Sequence, residues 1–238
     1  MKRYFLAVVS VFFLISMFNI YAADVSSNKI SEVIYTINFE QSSTENARSW
    51  LTGDGFNFES GATSQSNLDL YFANNSLVMN TTAEIFGLII KNVKIEGAKE
   101  VRITWGVNSF PKGASYNTGV NNEPIMVYIY YGDKKLSSDS WFIPNAPYFI
   151  GLFLGEKGAN DVNKPFIGEH FTQGGRFICL ANPNANETVT STFDLNKGFN
   201  ECFGKNLTVP YISGVALEVE TSDTSPAKSF IKKIEFLR

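Results

Sequence analysis

Histidine and cysteine are scarce in this 238-residue sequence, which contains one histidine, His170, and two cysteines, Cys179 and Cys202. A structural zinc site needs four closely spaced ligands of these types, and the scattered positions match no such pattern. Internal repeats, heptads and long amphipathic helices are also lacking. From motifs alone we predict no catalytic residue, no metal site and no cofactor.

An excess of positive charge is lacking too. The chain has 20 lysines and arginines against 23 aspartates and glutamates, and its net charge is −3. Nucleic acids and acidic membrane surfaces attract proteins through clustered lysines and arginines. We therefore expect no nucleic-acid partner, and basic pairs such as Lys134-Lys135 are too small to change that expectation.

The first residues are typical of a secretory signal peptide. Lys2 and Arg3 precede the apolar run 4–18, and the small residues Ala22 and Ala23 follow it. The run is shorter than the roughly 20 residues of a membrane-spanning helix. We expect residues 1–23 to be cleaved during export, leaving residues 24–238 as a single domain without a stable membrane anchor.

Short apolar or alternating runs, separated by glycine, asparagine, serine and proline, fill the rest of the chain. This pattern predicts an all-β sandwich or barrel with one short helix at 196–203. A hairpin turn is expected at Asn74-Asn75. The predicted strands are 33–39, 68–72, 77–80, 86–95, 100–108, 125–131, 148–154, 176–181, 188–195, 212–221 and 228–237.

Side-chain alternation assigns two of these strands more closely. Every second residue of 101–107 is apolar, which places Trp105 in the core and not on a ligand platform. The run 125–131 is apolar on both faces and is typical of a central strand covered on both sides.

A concave sheet would give the run 125–131 a second role. Met126, Tyr128 and Tyr130 would then line a cleft, or alternatively Tyr131 would stand at its rim, because a tyrosine ring can pack while its hydroxyl stays hydrated. Ordinary core packing is the alternative interpretation.

Several segments together resemble an uncharacterised family of exported bacterial proteins. They are YTINFE with Trp50, ITWGVNSFPKGA, EPIMVYIYYG, YISGVALEVETSDT and SFIKKIEF. That family is similar to galactose-binding-like β-jelly rolls, the fold of many carbohydrate-binding modules. The resemblance implies a jelly-roll β-sandwich in the periplasm or outside a bacterial cell, with a glycan or a protein as its partner. It implies no site residues and no oligomeric state.

Two long loops, 108–124 and 133–147, are the predicted binding loops, since loops at one end of a sandwich commonly bind ligands. Aromatic rings would stack on a sugar ring, and amides would bond its hydroxyls. The candidate ligand-binding residues are Trp141, Tyr116, Asn117, Asn121, Asn122 and Asn145. The alternative is that these residues merely serve loop geometry.

A carbohydrate-active enzyme is the alternative function, followed by a structural or protein-interaction domain. His170 with its neighbour Glu169 is a candidate base. Glu218 and Glu220 share a strand face, but glycosidase carboxyls need positions on opposite sides of the scissile bond. We interpret this pair as the solvated face of a half-exposed strand, so that a non-catalytic binding module is favoured.

Two further sites remain open at this stage. An exported chain permits a disulfide between Cys179 and Cys202, whereas Cys179 among apolar neighbours is also typical of a buried free thiol. Oxygen ligands for calcium occur in the segment 155–163, where we favour a solvated acidic turn. Its candidate ligands are Glu156, Asn160, Asp161 and Asn163.

Overall fold

Strands with apolar side chains at every second position form two sheets that pack face to face. The computed structural model describes residues 31–40, 46–222 and 227–238, so the predicted signal peptide lies outside the described residues. The strands are β1 (Val33–Asn38), β2 (Phe56–Ser60), β3 (Leu68–Ala73), β4 (Ser76–Thr81), β5 (Ile85–Ile95), β6 (Glu100–Ser109), β7 (Glu123–Leu136), β8 (Ala146–Leu154), β9 (Pro165–Phe166), β10 (Gly175–Ala181), β11 (Thr188–Asp194), β12 (Ile212–Thr221) and β13 (Lys228–Leu237).

Sheet A contains six strands and sheet B seven. Sheet A runs β11-β6-β13-β4-β3, with β1 also paired to β13, and sheet B runs β2-β5-β12-β7-β8-β10-β9. The chain passes repeatedly from one sheet to the other, so that hydrogen-bonded neighbours such as β1 and β13 are far apart in sequence. Among the named strands only β8 and β10 pair in parallel. This confirms the predicted all-β sandwich of jelly-roll type.

The helices differ in number from the prediction. The expected helix is α2 (Leu195–Phe203), which Asp194 caps by accepting a hydrogen bond from the Lys197 amide. A second helix, α1 (Ala47–Gly53), was missed, so the prediction of a single helix is wrong. Seven residues are too few to show a helical period in the sequence. The one local signal is Asn46, the N-cap of this helix, because asparagine is a favoured residue at that position. No helix in the described ranges is long and apolar enough to cross a membrane.

Every predicted strand is present, and the short β2 and β9 are additional. The hairpin between β3 and β4 turns at Asn74 and Asn75, both with positive φ, as a tight two-residue β-turn requires. Trp105 is fully buried between the sheets, where its Nε1 donates to Ser191 Oγ at 3.1 Å. The core assignment of Trp105 is thereby confirmed.

Tyr131 does not stand at a rim. Its side chain is 1% exposed on the inner face of sheet B, and its ring centroid lies 4.9 Å from that of Phe199 on α2. Because strand residues alternate, Tyr128 and Tyr130 point outward and Tyr131 must point inward. The predicted rim position of Tyr131 was therefore wrong, because this side chain lies on the inner face of the strand and not on the outer face.

Two tryptophans allow a matched test of this architecture. We expect Trp105→Ala to lower the free energy of unfolding by about 3–5 kcal/mol, because it leaves a large cavity and an unpaired Ser191 hydroxyl. Trp141→Ala, at a side chain that is 86% exposed, should change it by less than about 0.5 kcal/mol. Urea denaturation of both variants measures the difference, and equal losses would contradict the assigned burial.

Candidate binding cleft on the outer face of sheet B

The outer face of sheet B, which points away from sheet A, is apolar at its centre. A second buried cluster lies there, separate from the core between the sheets. Its fully packed members are Met126, Tyr128, Phe149, Phe153, Cys179 and Ala216. The central strands β7, β8 and β12 are therefore covered on both faces, as predicted for the run 125–131.

Aromatic rings form a continuous surface on this face, which we call the aromatic floor. Its members are Tyr116, Tyr128, Tyr130, Phe149, Phe153, Phe166, Phe171 and Phe177. Neighbouring centroids lie 5.1 Å apart for Tyr128 and Phe149, 5.2 Å for Phe149 and Phe171, and 5.8 Å for Tyr130 and Phe149. Such tilted and edge-to-face contacts hold the rings in fixed orientations.

Small residues on the adjacent strands leave the space that the tyrosine rings occupy. Tyr128 stands between Gly151 on β8 and Ala216 on β12. A Cβ at Gly151 would come within 2.7 Å of the Tyr128 ring and 2.3 Å of Met126 Sδ. The Tyr130 ring lies beside Gly214 in the same way. The absence of a Cβ at Gly151 and Gly214 thus allows the two tyrosine rings to pack closely against the backbone of the neighbouring strands.

Above the floor lies a cleft of about 1000 Å³. Segments 137–147 and 167–174 form one wall, and Asp139 joins them by accepting hydrogen bonds from the amide and the hydroxyl of Thr172, both at 2.7 Å. The apolar lining continues onto β5 through Phe86, Leu88 and Ile90. Polar side chains around the floor are Glu59, Asn92, Asn121, Asp133, Lys135, Asn145, Glu169, His170, Ser213 and Glu220.

Three carboxyl groups meet at the edge of the aromatic floor. Glu218 pairs with Met126 across the strands, whereas Glu220 pairs with Glu123, so β7 carries one extra residue in a β-bulge. The bulge turns Glu123 to the outer face, which regular alternation would not do. Ligand oxygens of Glu123, Glu218 and Glu220 consequently lie within 4.8 Å of one another.

Burial raises the pKa of all three carboxyl groups. Glu218 is 0% exposed, and desolvation followed by the nearby Glu123 charge holds its pKa well above the usual range. Desolvation raises the pKa of Glu123 to about 8 and that of the partly buried Glu220 to about 7. The cluster therefore retains protons near neutral pH that free glutamates would release.

This cluster corrects the sequence interpretation of Glu218 and Glu220. Alternation placed them on one face correctly, but β12 is a central strand between β5 and β7 and not half-exposed. Glu123 was missed, because only the bulge aligns it with the other two. Of the three, Glu220 alone lines the cleft, while Glu123 and Glu218 lie beneath its surface.

The six predicted ligand-binding residues divide into two groups. Tyr116, Asn121 and Asn145 line the cleft. Trp141, Asn117 and Asn122 do not: Asn117 accepts a hydrogen bond from the Asp161 amide, and the buried Asn122 donates to Ser222. The Trp141 ring packs on Phe142, which itself lines the wall of the cleft.

Tyr116 is part of the floor and less available for stacking than the sequence suggested. One face of its ring is covered by Phe153, at a centroid distance of 4.5 Å. Its hydroxyl donates to Glu123 Oε2 at 2.8 Å, and its amide donates to Asn160 Oδ1 at 2.7 Å. The binding loop 108–124 is thereby fixed at both the side chain and the backbone of Tyr116.

The cysteines and the acidic turn have structural roles. Both cysteines are free thiols, so the permitted bridge is not formed: Cys179 packs on the outer face of sheet B, while Cys202 on α2 packs against the inner core. In the segment 155–163, Asn160 accepts the Tyr116 amide and Asp161 forms an ion pair with Lys164 at 2.9 Å. His170 lines the cleft wall.

No protein-family model and no curated protein sequence matches this chain. The resemblance to an exported family therefore stays a prediction.

Three solved structures are similar to this chain at low identity and low TM-score. The carbohydrate recognition domain of Emp46p aligns with 85% of this chain and 95% of its own, at 13% identity and a TM-score of 0.44. The xyloglucanase domain of NopAA from Sinorhizobium fredii aligns over 87% and 100%, at 10% identity and a TM-score of 0.42. An agarase, AgWH50C, aligns with 86% of this chain at 8% identity and a TM-score of 0.36. The alignment covers 24% of the agarase, so this chain spans about a quarter of that protein's length. Similarity at this level assigns neither a family nor a function.

The carboxyl cluster predicts how stability depends on pH. Glu123 and Glu220 have folded-state pKa values of about 8 and about 7, above the unfolded value of 4.5. The contribution of these carboxyls to the free energy of unfolding is therefore fully present below pH 4.5 and is lost as the pH rises through the folded-state values. With EDTA present, the free energy of unfolding should fall between pH 5 and pH 8.5, by up to about 1.4 kcal/mol per pH unit for each proton.

Glu218→Gln should flatten this decline, because glutamine cannot ionise. The control is Asp161→Asn, at an exposed carboxyl whose pKa is lowered and which titrates below this window. Denaturation curves at several pH values provide the measurement. A decline that is as steep in Glu218→Gln as in the unmodified protein would refute the assignment to the cluster.

Proposed function

We propose that this protein is an exported, non-catalytic glycan-binding module whose ligand lies in the cleft on the outer face of sheet B. The observation that carries the proposal is the combination of a continuous aromatic floor with polar side chains around it. The C–H faces of a sugar ring pack on aromatic rings, while its hydroxyl groups need hydrogen-bond partners. Both kinds of partner line the same cleft.

The dimensions favour an oligosaccharide or a polymer segment over a monosaccharide. A cleft of about 1000 Å³ lies at the upper end of the usual range for ligand sites. Its apolar lining extends from Phe177 on β10 to Phe86 on β5, at the opposite side of the sheet. A chain of sugars crossing the strands would contact this lining along its length.

A carbohydrate-active enzyme is the second candidate, and one observation favours it. Glu220 lines the cleft with a pKa of about 7, a value suited to a general acid at neutral pH. Glycoside hydrolysis needs a second carboxyl that reaches the sugar from the other side. Glu123 and Glu218, the carboxyls beside Glu220, are 1% and 0% exposed and cannot serve, so the second carboxyl would have to come from Glu59, Asp133 or Glu169 in the cleft lining.

A glycan array identifies the ligand class, and titration calorimetry on a soluble oligosaccharide from any hit measures affinity. Tyr130→Ala should weaken binding roughly tenfold to a hundredfold, because a partly exposed ring of the floor is removed. Tyr71→Ala, at a tyrosine on β3 in sheet A, is the matched control and should leave the affinity unchanged. Trp141→Ala should have a smaller effect than Tyr130→Ala, since Trp141 extends the wall through Phe142 only.

Other outcomes would change the conclusion. Unaltered affinity in a folded Tyr130→Ala variant would place the glycan elsewhere. Release of reducing sugar by the unmodified protein, abolished by Glu220→Gln, would establish the enzyme instead. Absence of any bound glycan would leave a structural or protein-interaction domain.

A further inference from the structure

Glu218 presents an unusual side chain for the interior of a protein. It is 0% exposed, and neither of its carboxyl oxygens has a hydrogen-bond donor. Buried carboxylates are normally paired or bound to a metal ion, because an unsatisfied buried charge costs several kcal/mol. One of its oxygens lies in the group formed with Glu123 and Glu220, where each of the three residues places an oxygen within 4.8 Å of the others.

Nothing else on the described residues neutralises this group. No lysine, arginine or histidine there forms an ion pair with any of the three carboxyls. The Tyr116 hydroxyl is directed at Glu123, to which it donates a hydrogen bond at 2.8 Å. A proton shared between Glu123 and Glu218 would satisfy one oxygen of Glu218 and leave the other without a partner.

We propose that Glu123, Glu218 and Glu220 bind one calcium ion. Two oxygens on the same calcium ion, each at about 2.3–2.6 Å, lie at most about 5 Å apart, which the observed 4.8 Å satisfies. The ligands are all hard carboxylate oxygens, without histidine or cysteine in the group, which suits calcium and not zinc or copper. Magnesium usually keeps several waters, and the burial of Glu123 and Glu218 disfavours a hydrated ion.

The position of the three carboxyls indicates how the ion reaches the site and which loop it affects. Glu220 lines the cleft, so the ion enters from there. The ion fixes the Glu123 carboxylate, which accepts the hydrogen bond of Tyr116, and thereby stiffens the loop that brings Tyr116 into the aromatic floor. The site stands on the carboxyl geometry and does not depend on glycan binding.

Calorimetric titration of the EDTA-treated protein with calcium chloride tests the proposal directly. We expect one bound ion per chain and a higher unfolding temperature with calcium than with EDTA. Glu218→Gln keeps the shape of the side chain and should weaken calcium affinity by at least about tenfold. Its circular dichroism spectrum and unfolding curve in EDTA establish that the variant is folded.

Asp161→Asn is the matched control, because it removes an exposed carboxyl from the acidic turn 155–163, the other candidate calcium segment. Calcium affinity should be unchanged in this variant. Binding lost in Asp161→Asn but retained in Glu218→Gln would place the ion in the turn and overturn the proposal. Failure of the unmodified protein to bind calcium would overturn it as well, whatever the glycan measurements give.

Discussion

The hydrogen-bonded pairing of β7 with β12 is the constraint on which the rest of the structure depends. Residues 125–131 of β7 are apolar on both faces, and β12 is apolar toward sheet A and, at Ala216, outward. Val127 and Leu217 pack toward sheet A, and Met126 and Ala216 pack outward. An apolar strand face cannot be left in water without loss of stability, so the outer face needs its own cover. The loops provide that cover over part of sheet B only. The part that they leave open is the cleft.

The same pairing sets the chemistry at the edge of the cleft. One extra residue in β7 turns Glu123 outward and brings it beside the two glutamates of β12. Three acidic groups then share a space in which no basic residue of the described ranges forms an ion pair with them, and a tyrosine packed among rings donates a hydrogen bond to one of them. The apolar floor and its acidic edge therefore both depend on the register between β7 and β12, so a shift of this register would disturb both.

Alternation in the sequence predicted the strands well, because the period of two is a local property that each strand carries by itself. It identified the covered strand 125–131 and the core position of Trp105. It could not give the site, since the floor joins Phe149 and Phe177 to Tyr128 from three separate strands whose neighbours are decided by topology. Glu218 and Glu220 were assigned to the correct face and the wrong environment, because alternation tells which residues share a face and not what covers it. The bulge at Glu123 has no signature in the residues around it.

The position of β13 in sheet A determines the order in which the protein can fold. This strand is hydrogen-bonded to β6 along one edge and to β4 and β1 along the other. While the chain is being synthesised, β1, β4 and β6 have no common neighbour until residues 228–237 emerge, and their pairing edges stay open. Long-range pairing of this kind slows folding and exposes strands to aggregation. Sheet A is therefore joined only when β13 is added, because without this strand its remaining pairs, β3 with β4 and β6 with β11, are separate from each other.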